Sequence, residues 1–275
     1  MDTRPIGVFD SGIGGLTILK EVMEQLPGEN VLYFGDTARL PYGTRSNETV
    51  KKYTFQCLDF LTEKDVKAIV IACNTASSSA VEEAKKRYSV PVFGVIEPGA
   101  RAAVNATKNG KIGVIATSRT INNEAYQNAI WGLNNTVEVT GKACALFVQL
   151  AEEGWADTDV ALLAAEKYLI DIKEHEVDTL VLGCTHFPLL RYTIRKVLGE
   201  QIKLVDPAFE TAKELKKYLK SNDMLNTNEK LGTQRFYVTD DSDKFKRIGE
   251  LFLQKEITNI NKVHVEGGKM QESED

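Results

Sequence analysis

The chain has 275 residues, 43% of them hydrophobic and 27% charged, with a formal net charge of −5. That length favours two modest domains, the composition builds a sizeable core and argues against disorder, and the acidic balance lacks the basic face that nucleic acid demands. No run approaches the roughly 18 apolar residues that span a bilayer, and the start has no apolar signal segment, so a cytoplasmic protein with neither membrane nor nucleic-acid partner is expected.

Short apolar runs bounded by Gly, Asp, Thr or Pro alternate with stretches of helical period, the rhythm of a parallel α/β sheet. In chain order the first half predicts a strand at Ile6–Phe9, a helix at Leu16–Gln25 closed by Pro27-Gly28, and a strand at Val31–Phe34. A helix at Glu48–Glu63 opened by Ser46 or Asn47 follows, then a strand at Ala68–Ala72, a helix at Ser77–Tyr88 and a strand at Val92–Val95. The second half repeats the strands at Ile112–Ala116, Val137–Thr140, Thr179–Leu182 and Lys203–Val205, with a helix at Asp157–His175. The tail predicts a helix at Thr211–Leu219, a strand at Arg235–Val238, a helix at Asp243–Gln254 and a frayed end from Glu266 onward. Each half holds a Gly-containing first strand, an intermediate strand, a strand ending in cysteine, and a strand running into Glu97-Pro98 or Asp206-Pro207. The repeat predicts duplicated domains, residues 1–97 with 208–275 and residues 98–207. The chain would cross at Pro98 and Pro207, because the residue before a proline is driven toward extended geometry.

Two near-copies of one module carry the chemistry: Ile69-Val-Ile-Ala-Cys73-Asn74-Thr75 and Thr179-Leu-Val-Leu-Gly-Cys184-Thr185-His186. Each puts a thiol where a buried strand runs out into a polar turn, the place where α/β sheets hold ligands. The positive end of the following helix is expected to lower a thiol pKa from its reference of ~8.5. Cys57 and Cys144 lack that setting and read as small buried hydrophobes. Four cysteines in such a chain predict free thiols, and their spacing calls for no metal. Paired thiols suit a reaction in which a proton leaves one face of a carbon and returns to the other. The glycines of Asp10-Ser-Gly12-Ile-Gly14-Gly15 match neither a dinucleotide fingerprint nor a phosphate-binding loop, and no lysine stands in a pyridoxal phosphate setting, so no cofactor is expected.

Five stretches carry a family resemblance: Ile6-Gly-Val-Phe-Asp10-Ser11-Gly-Ile-Gly-Gly15-Leu, Tyr33-Phe-Gly-Asp36-Thr-Ala-Arg-Leu-Pro41-Tyr42-Gly43, Ala72-Cys73-Asn74-Thr75-Ala, Gln149-Leu-Ala-Glu152-Glu-Gly and Gly183-Cys184-Thr185-His186-Phe-Pro188-Leu-Leu. Over nearly the whole chain it resembles the glutamate racemase family, the cofactor-independent aspartate/glutamate racemases. The resemblance implies two pseudo-symmetric flavodoxin-like α/β domains with the active site in the cleft between them. It implies interconversion of L- and D-glutamate in the supply of D-glutamate for peptidoglycan, by a homodimer. Carried over to these positions, Cys73 and Cys184 are the acid/base groups, Cys73 on the D face and Cys184 on the L face. Asp10 assists the first thiol, and Glu152 with His186 the second, with adjacent Glu153 as the competing carboxylate. The substrate-binding set is Asp10, Ser11, Pro41, Tyr42, Gly43, Asn74, Thr75, Thr117, Thr120, Thr185 and His186. Gln149 departs from the family, many of whose members have proline there, which bears on the loop before Glu152. Two rival functions are the same chemistry on aspartate, and a non-catalytic amino-acid-binding or redox-sensing protein in which Cys73 and Cys184 form a switchable disulfide.

Overall fold

The apolar runs assemble into two sheets in a computed structural model that describes residues 1–228 and 230–273. The first half supplies β1 (Ile6–Asp10), β2 (Val31–Gly35), β3 (Ala68–Ile71) and β4 (Val92–Gly94). The second half supplies β5 (Lys111–Ala116), β6 (Glu138–Ala143), β7 (Thr179–Gly183) and β8 (Lys203–Val205). The tail adds β9 (Gln234–Val238), β10 (Ile260–Glu266) and β11 (Lys269–Glu272) to the first sheet. β1, β2, β3 and β7 are buried along their whole length, as continuous apolar runs in central parallel strands must be.

Strand order runs β11-β10-β9-β2-β1-β3-β4 in one sheet and β6-β5-β7-β8 in the other. The segments β2-β1-β3-β4 and β6-β5-β7-β8 share one order, the flavodoxin-like arrangement, so the chain holds two α/β domains of like topology. In each, the order reverses between the first and third strand of the set, and ligands bind outside the carboxyl ends of strands at such a switch point. Cys73 follows β3 and Cys184 follows β7, so each thiol stands at the switch point of its own sheet.

The helices are α1 (Leu16–Gln25), α2 (Asn47–Glu63), α3 (Asn74–Arg87), α4 (Ile96–Ala106), α5 (Ser118–Asn122), α6 (Ala125–Leu133), α7 (Leu146–Glu152), α8 (Asp159–Glu174), α9 (Arg191–Leu198), α10 (Pro207–Ser221) and α11 (Ser242–Leu253). Helix α3 starts three residues before its expected start at Ser77, with Cys73 as its N-cap. The small polar residues that follow the cysteine favour caps and turns, which masked that start. The sequence pattern does not predict the five helices α4, α5, α6, α7 and α9; α5, α7 and α9 are only 5, 7 and 8 residues long, too short for a clear period.

Two expectations need correction. Pro98 lies in the first turn of α4, where its missing N–H is not needed, so Glu97 is helical instead of extended. Pro207 does open a helix behind an extended Asp206, at φ −102° and ψ 119°. The tail from Glu266 is ordered as far as Ser273: β10 and β11 pair antiparallel through Gly267 and Gly268, both at positive φ. That two-glycine turn is a hairpin signal, and Val263 and Met270 bury the inner face. The last part of the expected fray, Glu274 and Asp275, lies outside the described residues. Among the described residues no helix is long and apolar enough to cross a membrane.

Candidate active site

Loops at the carboxyl ends of β1, β3, β5 and β7 converge on a cavity of about 450 Å³. Of the residues expected at the site, Ser11, Pro41, Tyr42, Gly43, Cys73, Asn74, Thr75, Thr117, Glu152, Cys184, Thr185 and His186 line it. Asp10 and Thr120 do not: both are buried behind the wall. Leu40, Thr44, Ser118, Ala145, Leu146, Val148, Gln149 and Tyr168 also line the cavity. Leu146, Val148 and Gln149 belong to α7, and Tyr168 to the periodic face of α8. Gln149, noted as the departure from family pattern, therefore faces the site.

Cys73 is 6% exposed. Its Sγ accepts from Ala76 N–H at 3.5 Å, as the cap of α3, and its S–H donates to the Ser11 hydroxyl oxygen at 3.4 Å. Burial pushes this thiol up to about 12, and the nearby Asp10 charge adds to the rise. The helix start alone would lower it; desolvation and a neighbouring acid outweigh the helix. Asp10 Oδ1 accepts from Gly12 N–H at 2.9 Å, and its Oδ2 finds no partner among the described residues. Burial raises the pKa of this carboxyl, opposed by positive charge at His186 and by the Gly12 and Gly15 amides. A Cβ on Gly15 would fall 2.4 Å from Asp10 Cβ, so the carboxyl packs where only glycine fits.

The second thiol has different neighbours. Cys184 Sγ lies 3.8 Å from His186 Nδ1, and His186 Nε2 lies 3.1 Å from Glu152 Oε1. Lys244 Nζ of α11 stands 3.8 Å from Glu152 Oε2. Burial disfavours charge on His186, but hydrogen bonds to Cys184 and Glu152 and their negative charge win, raising it to about 10. For Glu152, burial works upward, and the His186 contact together with Lys244 brings the net shift downward. Glu153 is exposed, at the C-cap of α7; Glu152 alone of the two reaches the histidine.

Hydroxyls knit the two domains together. Thr75 Oγ1 is 2.9 Å from Thr117 Oγ1 and 3.4 Å from Thr120 Oγ1, and the latter two are 3.1 Å apart. The Tyr42 hydroxyl donates to buried Asp36, which also takes the Arg39 Nε–H at 2.7 Å and the Thr239 hydroxyl at 3.0 Å. What the Tyr42-Gly43 turn offers a ligand is therefore its ring and its backbone. A Cβ on Gly14 would fall 2.3 Å from Thr185 Oγ1 and 2.6 Å from His186 Nδ1. This glycine serves close approach between domains, which accounts for the Gly-rich turn without a phosphate. Among the described lining residues His186 is the one cationic side chain, so a carboxylate here meets chiefly N–H and O–H donors at helix starts.

Like α/β domains that each turn one buried thiol toward a shared cavity suit stereochemical inversion at carbon. Residues 6–215 match the family described as Asp/Glu/Hydantoin racemase. The chain is 48% identical over 269 residues to a glutamate racemase of Geobacter metallireducens, covering 98% of this chain and 100% of that one. It is 48% identical over 261 residues to a glutamate racemase of Neisseria meningitidis serogroup A, covering 94% and 96%. Among solved structures, a glutamate racemase isoform from Bacillus anthracis superposes with a TM-score of 0.93 at 39% identity, covering 98% of this chain and 100% of that chain. The Francisella tularensis glutamate racemase in complex with D-glutamate gives 0.91 at 44% identity, covering 96% and 98%. Fold, site and relatives define the class: an isomerase acting on amino acids. Within it, the chain belongs to the glutamate racemases of the Asp/Glu racemase family.

Proposed function

We propose that this chain interconverts L- and D-glutamate by exchanging protons between two thiols on opposite faces of the α-carbon. The observation that carries this reading is that Cys73 and Cys184 open onto one cavity from the switch points of two like sheets. The domains in this reading are residues 1–97 with 208–275, and residues 98–207.

In the L-to-D direction Cys184 takes the α-proton and Cys73 returns one to the other face. At neutral pH a thiol raised to about 12 holds its proton, which suits Cys73 as the donor in that direction. A protonated His186 stands where it stabilises negative charge on the Cys184 sulfur as base, with Glu152 holding the imidazolium. In the D-to-L direction the roles reverse, and Ser11 stabilises the Cys73 sulfur while buried Asp10 takes part in moving the proton. Buried Asp10, whose charge is felt at Cys73, acts through that thiol. Removing the α-proton builds negative charge on the α-carboxylate, and fixed donors at Asn74, Thr75, Thr117 and Thr185 are placed to stabilise it, with Thr120 holding the threonine cluster. Ser11 and the Pro41-Tyr42-Gly43 turn complete the enclosure of the substrate. Family membership supports D-glutamate supply to peptidoglycan synthesis in the cytoplasm, by a homodimer.

The test is α-hydrogen exchange in D2O with either enantiomer of glutamate, followed together with optical rotation, and with aspartate in parallel. Racemisation and exchange with glutamate are expected. Faster turnover of aspartate would reassign the substrate, and binding without exchange would remove the catalytic reading.

A further inference from the structure

One buried side chain touches the neighbour of each thiol, and nothing in the mechanism above uses it. Tyr126, on α6, is fully buried. Its hydroxyl donates to Asn74 Oδ1 at 2.7 Å, next in sequence to Cys73. Its ring lies against Gly183, next in sequence to Cys184: a Cβ there would fall 3.0 Å from Tyr126 Cε2. The opposite ring edge meets Gly99 of α4, where a Cβ would fall 3.1 Å from Cε1. Glycines on both sides thus make room for one phenol that reaches from the second domain into the first.

The hydrogen bond has a chemical consequence. A carboxamide whose oxygen accepts a proton from a buried phenol has its orientation chosen for it: Oδ1 faces the phenol, and the Nδ2 hydrogens face elsewhere. Asn74 lines the cavity, and among the described residues no hydrogen bond engages its Nδ2. The free N–H2 group is then a donor held toward the ligand. Without the phenol, the amide can turn its oxygen toward the cavity and meet the substrate carboxylate with an acceptor.

We propose that Tyr126 is a positioning residue for the racemisation: its hydroxyl holds the Asn74 carboxamide as a donor to the substrate carboxylate, while its ring seats the strand end that carries Cys184. The inference rests on the glutamate racemase reading and adds a residue to it. It reaches both thiol loops from one side chain, so it acts on both directions of turnover alike. The phenol itself has no path to the substrate except through Asn74.

The experiment is a double-mutant cycle on the full chain, with Tyr126→Phe, Asn74→Ala and the combination, measuring kcat and KM for both glutamate enantiomers and the thermal midpoint. Tyr126→Phe keeps the ring on Gly183 and removes only the hydroxyl. It is expected to lower kcat/KM by about tenfold, the scale of one hydrogen bond to a charged group, with the midpoint nearly unchanged. Added to Asn74→Ala, it is expected to cost nothing further, because the group it orients is gone. The combined variant removes both partners of the buried bond, so if the phenylalanine variant alone folds poorly, comparison of the combined variant with Asn74→Ala still reads whether the phenol acts only through the amide: a further loss there overturns the proposal. Parent-like kinetics for Tyr126→Phe would overturn the proposal, as would an equal tenfold loss in both backgrounds. A parent protein that does not racemise glutamate would overturn the functional reading itself, a separate result visible before any variant is made.

Discussion

The two thiols occupy equivalent positions in two like sheets, yet their surroundings differ in kind. Cys73 is held by a serine hydroxyl and a helix amide beside a buried carboxyl, and its proton is tightly kept. Cys184 faces an imidazole fixed by Glu152, and its neighbour carries positive charge. The strand end and the cysteine recur in both sheets, but an acid stands beside one thiol and an imidazole held by a carboxylate beside the other. A chiral protein cannot present mirror-image surroundings to mirror-image substrates, so unequal helpers are the natural solution. Thermodynamics limits what that inequality can do: enantiomers in water have equal free energy, so kcat/KM must be the same in both directions. The asymmetry can show only in kcat and KM separately, in exchange, and in pH dependence.

Replacing either thiol should break the comparison most severely. Cys73→Ala and Cys184→Ala are each expected to lower kcat/KM for racemisation by about 10²- to 10⁴-fold, equally for both enantiomers, as polarimetry with each substrate would measure. His186→Gln comes next, with a loss of about 10²-fold and a changed alkaline limb in the rate profile. The imidazolium is present below about 10, so parent activity that depends on it is expected to fall as pH rises through that value. The stability linkage has the same sign. A histidine raised in the fold contributes stability fully present below its unfolded pKa of ~6.5 and lost as pH rises from there to about 10. Thermal midpoints of parent and His186→Gln across that window should converge as the pH increases.

Gly14→Ala tests how closely the two halves must approach. Its new methyl would fall 2.3 Å from Thr185 Oγ1, so the Gly-rich turn or the Cys184 loop must give way. A destabilisation of about 1–3 kcal/mol by chemical denaturation is expected, with KM raised for both enantiomers. The smallest effect belongs to Lys244→Met. This lysine is 3.8 Å from Glu152 and partly exposed, so solvent screens its influence. Activity within about threefold of the parent is expected, with a slight downward move of the alkaline limb, since the cation supports Glu152 as an anion.

Much of this arrangement was legible in the sequence because the decisive signals are local. Apolar runs ending in Cys-Asn-Thr and Cys-Thr-His marked both strand ends, and the doubled order of strands marked the repeat. What stayed hidden depends on partners distant in sequence. Asp10 and Thr120 are buried and do not line the cavity, a depth that a motif, which gives residue identity alone, does not carry. The helix start visible in the sequence predicts a lowered Cys73 thiol, whereas the desolvation beside Asp10 that raises it leaves no mark there. Tyr126 gave no signal at all: its partner Asn74 is 52 residues away, and a tyrosine in an apolar helix reads as core. The β10–β11 hairpin did leave its mark in Gly267-Gly268, but the charged residues around it suggested a frayed tail.

The central claim, one thiol for each face of the α-carbon, is tested most directly by placing Cys73→Ala and Cys184→Ala separately in D2O with pure L- or pure D-glutamate. Neither variant should invert the substrate. Residual α-deuterium incorporation is expected only into L-glutamate with Cys73→Ala, which keeps Cys184, and only into D-glutamate with Cys184→Ala. If either variant racemises at the parent rate, the two-thiol account is contradicted.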